Sequence, residues 1–218
     1  MSPHFRLTSV AIAALALGGC ALTSKSDSVI FRYFTPERVV ARAADAAPRA
    51  PSASHLQLRV GRVGASTYLK DRIAFRDSDY EVGYYDELRW TERPEAYVRR
   101  ALVRALFEDQ PIRQIISGPG PTVDVELSAF EELRAPRHAA RVELTWILRD
   151  DQAVLLQRTF LVERPIVEAK SETSASAVAT AMSEALGEAV KAMVTGIVAE
   201  LSRSATVTES AKEPSPAP

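Results

Sequence analysis

The feature that most constrains the fold is a run of three alternating segments followed by one long apolar stripe. Val123, Val125, Leu127 and Ala129 alternate with Asp124, Glu126 and Ser128, and Val142, Leu144, Trp146 and Leu148 alternate with Arg141, Glu143 and Thr145. Period two sends one set of side chains to each side of a strand, so both segments read as half-buried strands. Val154, Leu156, Phe160 and Val162 form a third inward set, interrupted by Arg158. Arg149-Asp150-Asp151-Gln152 is a compact turn that makes the second and third strands a hairpin. Val178, Met182, Leu186, Ala189, Met193, Ile197 and Leu201 then recur at three- and four-residue spacing, the stripe of a long helix. Gly187 and Gly196 weaken its intrinsic propensity, so packing on the sheet must hold it.

Upstream, Leu56, Leu58 and Val60 alternate with His55, Gln57 and Arg59, another half-buried strand. Ile73 to Phe75 and Tyr80 to Tyr85 read as a short pair around the turn-rich Arg76-Asp77-Ser78-Asp79. Glu92-Arg93-Pro94-Glu95 starts a helix, because proline suits the first turn and acids suit the positive end of the macrodipole. Val98, Ala101, Leu102, Ala105 and Leu106 supply its buried side, and it should end near Phe107, before Pro111. Ile112 to Ile116 reads as a further strand, closed by Gly118-Pro119-Gly120-Pro121, and Val29 to Phe34 as a short one. Residues 41–54 are rich in Ala, Pro and Arg and read as a surface loop or linker; residues 203–218 have almost nothing to bury and read as a disordered tail. The expectation is an α/β fold bordering on α+β. It is a single domain with a mixed, mostly antiparallel sheet and at least two packed helices, including the long C-terminal one.

The N-terminus carries a different signal. A cationic start with Arg6 precedes an apolar run from Leu7 to Leu17, too short to span a bilayer, and then Gly18, Gly19 and the only cysteine, Cys20. Leu17-Gly18-Gly19-Cys20 resembles the lipobox of bacterial lipoproteins. That resemblance implies a signal peptide over 1–19 and a lipidated tether over 20–28. Cys20 would then carry a diacylglycerol on its sulfur and a palmitate-like N-acyl chain, with no other cofactor. Several acyl chains give stable anchoring. Ala21, where the familiar inner-membrane retention signal has Asp, implies sorting to the outer membrane with the chain facing the periplasm. Without Arg6 the 27 basic residues fall to 26 against 28 acidic ones, which gives no drive toward nucleic acid.

The order of elements resembles the ABC-type transport auxiliary lipoproteins, the paraquat-inducible protein C type. The residues that carry the likeness are the lipobox, Phe31-Arg32-Tyr33-Phe34 and Leu69-Lys70-Asp71-Arg72-Ile73-Ala74-Phe75-Arg76. To these are added Tyr84-Tyr85-Asp86-Glu87-Leu88-Arg89-Trp90-Thr91-Glu92-Arg93-Pro94 ahead of an Ala/Leu/Arg helix, and Val154-Leu155-Leu156-Gln157-Arg158-Thr159-Phe160 ahead of the final helix. The resemblance implies that 29–202 is the family's domain. It also implies an accessory role beside an ABC transporter with an MCE-type periplasmic protein, moving lipids or other hydrophobic molecules between membranes. The oligomeric state stays open, and a ring-shaped MCE partner makes a homo-oligomer plausible by analogy. The other class considered is an envelope scaffold or outer-membrane assembly lipoprotein without a transport role.

Catalytic constellations are missing from the sequence. There is no Walker A loop, no Gly-x-Ser-x-Gly, no Cys/His pair and no His spacing suited to a metal, so the expectation is a protein that is not an enzyme. Two clusters remain as contacts. Arg134, Arg137 and Arg141 lie with His138 around a turn, where a solvated turn is the plainer reading and a basic contact for lipid headgroups or an acidic partner the functional one. Tyr80, Tyr84, Tyr85 and Trp90 form an aromatic cluster, of which Tyr84, Tyr85 and Trp90 are the candidates for a protein or lipid contact, against the alternative that alternate members fill the core.

Overall fold

Ten elements follow one another in the computed structural model, which describes residues 29–37, 56–167 and 174–212. They are β1 (Arg32–Phe34), β2 (Gln57–Ala65), β3 (Arg72–Ser78), β4 (Glu81–Trp90), α1 (Pro94–Phe107), β5 (Arg113–Gln114), β6 (Thr122–Leu133), β7 (Ala139–Arg149), β8 (Val154–Pro165) and α2 (Ser174–Lys212). The signal peptide, Cys20, the tether and the 41–54 loop expected from sequence lie outside the described residues.

All eight strands join one sheet, organised around β6. One edge of β6 carries the full antiparallel ladder to β7, and β7 pairs antiparallel with β8, as the hairpin reading requires. The other edge is shared. β2 runs parallel to residues 122–127 of β6, and β3 runs parallel to residues 131–133, so the two strands lie end to end along β6. β5 extends the sheet beyond β2; β4 and then β1 extend it beyond β3. The long ladders are antiparallel and the parallel ones short, which matches the α/β, mostly antiparallel expectation.

One side of this sheet is the core. Val123, Val125, Leu127, Val142, Leu144, Trp146 and Leu148 are buried there, as their alternation predicts. α1 covers it with Tyr97, Val98, Leu102 and Leu106, and α2 with the stripe from Val178 to Leu201. α1 begins as the sequence implies: Arg93 is extended, Pro94 enters the first turn and Glu95 follows. Gly196 has a specific reason. A Cβ there would sit 3.0 Å from the Trp146 ring, so glycine lets the helix backbone approach one of the two buried tryptophans.

Four expectations are corrected. Val154 is exposed because the β7–β8 register shifts at Leu148/Arg149, which takes the first residue of β8 off the inward set. The turn between β3 and β4 falls at Asp79 and Tyr80, and β3 runs on through Ser78. The strand expected over residues 112–116 shrinks to Arg113–Gln114, where Leu56 and Leu58 carbonyls take the Arg113 and Ile115 amides. Finally, α2 continues through residues 203–212, part of the segment read as a disordered tail. An ion pair from Arg203 to Glu200 spans one turn there, and the Ser202 and Thr206 hydroxyls bond to the carbonyls four residues back at 2.9 and 3.0 Å.

Candidate functional site

Of the three buried carboxylates among the described residues, two lie at the C-terminal end of β6, and the third, Glu200 of α2, pairs with Arg203. A bulge between Leu127 and Ala129 resets the strand, so that Phe130 becomes the core residue. The next two residues are carboxylates, Glu131 and Glu132, only 1% and 2% exposed. As neighbours on a strand they point to opposite sides of the sheet.

Glu131 faces the side away from the helices. Arg76 of β3 donates to it from Nε at 2.8 Å and from Nη2 at 3.3 Å. The Tyr68 hydroxyl shares its proton between Glu131 Oε2 at 3.1 Å and the Ser128 carbonyl at 3.0 Å. Burial, and then the Glu131 charge, push the Tyr68 phenol up to about 12. The bond to Glu131 raises the Arg76 guanidinium above its ordinary value.

Glu132 faces the other way. It accepts from the Tyr85 hydroxyl at 2.6 Å and contacts His138 Nε2 at 2.7 Å, with Arg134 Nε at 3.9 Å. The Arg134 guanidinium lies 3.3 Å from the Phe75 ring centre and 4.8 Å from that of Tyr85, and these two rings meet edge to face at 5.3 Å. Burial, and then the bond to Glu132, raise the Tyr85 phenol. Both carboxylates are therefore engaged by internal donors. They clamp β3, β4, β6 and the start of β7 together, and neither is poised as an acid–base partner for a substrate.

The sequence candidates divide accordingly. Tyr85 and Arg134 meet at Glu132. Tyr84 is elsewhere, its hydroxyl donating to the Tyr68 carbonyl at 3.1 Å under the Arg72 guanidinium. Arg137 is exposed and paired to Glu163. Arg141 stands opposite Glu131 on one side and Glu163 on the other. Trp90 is a correction. It is packed edge to face against Tyr97 and Phe130 in the core, and the bulky ring has no surface left for a partner. Sequence reasoning missed Glu131, Glu132, Tyr68 and Arg76. The available signal was the end of alternation at Phe130, followed by two acids where an edge strand would have been solvated. Along β4, a groove of about 400 Å³ opens beside Tyr85, Asp86 and Leu88 and reaches Ser174 at the start of α2. Among the described residues no cluster of His, Cys, Asp and Glu is suited to a metal, and no helix is long and apolar enough to cross a membrane.

Among the described residues a mixed sheet is covered by helices on one side, with its two buried carboxylates engaged in holding strands together, which defines the class as a two-layer α/β domain. The model of the ABC-type transport auxiliary lipoprotein component family matches residues 40–194, and the chain belongs to that family. It is thus an accessory component of ABC-type transport and, as a lipoprotein, a protein of the cell envelope. A crystal structure of a Xanthomonas campestris protein of family DUF330 is similar at 26% identity and a TM-score of 0.64, covering 80% of this chain and 99% of that one. A crystal structure of an uncharacterized protein shares the fold at 13% identity and a TM-score of 0.60, covering 77% of this chain and 99% of that one. A hypothetical protein from Chlamydia trachomatis shares it at 9% identity and a TM-score of 0.50, covering 68% of this chain and 98% of that one. No significant match is found among curated proteins.

Proposed function

We propose that this protein is the outer-membrane end of an MCE-type ABC transport system that moves lipids or other hydrophobic molecules between the two membranes. It is anchored through acylated Cys20, faces the periplasm, and acts by binding the MCE-type partner rather than by catalysis. The observation that carries this reading is the family match over 40–194 set behind a Leu-Gly-Gly-Cys sequence at residues 17–20. The engagement of Glu131 and Glu132 by internal donors supports binding over acid–base chemistry. The coupling of transport to ATP then belongs to another subunit.

Two measurements test it. Cells grown with labelled palmitate should label the native chain, and Cys20→Ala should lose both the label and membrane attachment while the domain stays folded; full labelling of that variant overturns the anchor. Crosslinking the native protein should recover a permease, an ATPase and an MCE-type protein. Recovery of outer-membrane assembly proteins with no MCE subunit favours the scaffold reading and removes the transport one.

A further inference from the structure

We infer that the open side of the β1–β4 edge is a membrane-contact surface, taking zwitterionic phospholipid headgroups with Phe31 and Tyr33 inserted among them. The inference rests on the anchored reading above, since it needs the domain held at a bilayer. Phe31, just before β1, and Tyr33 within it are two residues apart and project to the same side of the strand, 48% and 63% exposed. Tyr33 stands opposite Arg89 in the ladder, and the Arg89 guanidinium lies 4.7 Å from the Phe31 ring centre. The flanking residues Leu88 and Trp90 are buried in the core, so this row lies on the side of the sheet that no described helix covers. Arg72, paired with Arg89 across β3 and β4 and stacked over Tyr84, continues it inward.

The chemistry of this patch matches the boundary between headgroups and acyl chains. Aromatic rings backed by guanidinium groups put an apolar body below and a polar group at headgroup level. The rim carries both signs, Arg72 and Arg89 beside the exposed carboxylates of Asp86 and Asp71, which complements a zwitterionic headgroup rather than an anionic one. The chain length fits as well. Phe31 lies eleven positions after Cys20 in sequence, so even fully extended the chain between them spans at most about 40 Å. Two rings alone make a weak contact, but a tether turns it into an intramolecular one at an effective concentration on the order of millimolar.

The test supplies the tether chemically, which separates it from the question of acylation in cells. The chain from Cys20 to Pro218 is coupled through its single cysteine to maleimide-bearing lipid in phosphatidylcholine vesicles, carrying Phe31→Trp or Tyr33→Trp. The expected result is a blue shift and a loss of the new tryptophan's emission when the acyl chains are brominated. The native Trp90 and Trp146 are buried in the core and supply a background that the unsubstituted chain measures. Tyr80→Trp is the control, because Tyr80 is 99% exposed in the turn just before β4, roughly 30 Å away at strand rise. It should show no loss. Adding phosphatidylglycerol should leave the pattern unchanged.

The inference is overturned if positions 31 and 33 are quenched no more than the unsubstituted chain, or if Tyr80→Trp is quenched equally. It is equally overturned if the new tryptophans are already shielded in a dimer without vesicles, or if quenching needs phosphatidylglycerol. Failure with the tether in place sinks the contact and leaves Cys20 acylation standing. An unlabelled Cys20 in cells sinks the anchor without touching this measurement.

Discussion

The two halves of β6 hold charges of the same kind in opposite settings. In the first half, Asp124 lies on the open side of the sheet, accepting from Arg149 Nε at 2.9 Å and from the Arg62 amide at 2.7 Å. Solvent reaches both side chains of that ion pair. In the second half, Glu131 meets Arg76 at a similar 2.8 Å with its carboxylate out of water. Distance does not separate the two pairs; solvent does. An exposed pair gives back in lost hydration and side-chain freedom most of what it gains, whereas a buried charge that loses its partner is left stranded. The first half therefore decorates a strand, and the second ties β3, β4, β6 and the start of β7 together.

The largest effect expected from this contrast is at the buried end. Glu131→Ala should destabilise the fold by about 3–5 kcal/mol in urea unfolding, because Arg76 and Tyr68 lose their common acceptor. A loss no greater than that of a surface substitution would erase the contrast.

Tyr68→Phe should cost less, about 1 kcal/mol near neutral pH, and it has a second signature. A phenol whose proton is held to about 12 in the fold releases it near its ordinary pKa of about 10 once unfolded. Its contribution is therefore whole below pH about 10 and fades as pH rises toward about 12. Thermal unfolding of the native chain should fall across that window, and Tyr68→Phe should fall less steeply.

The smallest effect belongs to the open side. Asp124→Asn should cost about 0.5 kcal/mol, and a double-mutant cycle with Arg149→Gln should give a coupling of about 0–1 kcal/mol that shrinks with added salt. Coupling as strong as that of Glu131 with Arg76 would mean that the open side is covered by something in the working protein. In that case the same cycle repeated with the crosslinked partner would find it.

Much of the fold was legible because the relevant signals are local. Alternation in β6, β7 and β8 located the ladder and its core side, Pro94 and Glu95 marked the start of α1, and the stripe from Val178 to Leu201 identified α2 and its buried face. Legibility failed where a single residue's displacement changed the pattern. The β6 bulge moved Phe130 into the core and carried Glu131 and Glu132 inside, and the β8 register shift turned Val154 outward. Trp90 shows the same limit from the other side, since a tryptophan among tyrosines reads equally well as contact or core until Tyr97 and Phe130 are seen around it.

What the amino-acid sequence determined alone was most of the elements and the family, because periodicity and first-turn chemistry act over a few neighbouring residues. Only the tertiary structure decided that β2 and β3 share one edge of β6, that two adjacent glutamates are buried on opposite sides of the sheet, and that Phe31 and Tyr33 lie on an edge that no other described element covers. Those outcomes depend on which strands meet across tens of residues, and on where a bulge resets the pleat. Burial, and with it the strength of every charge, is settled by those meetings.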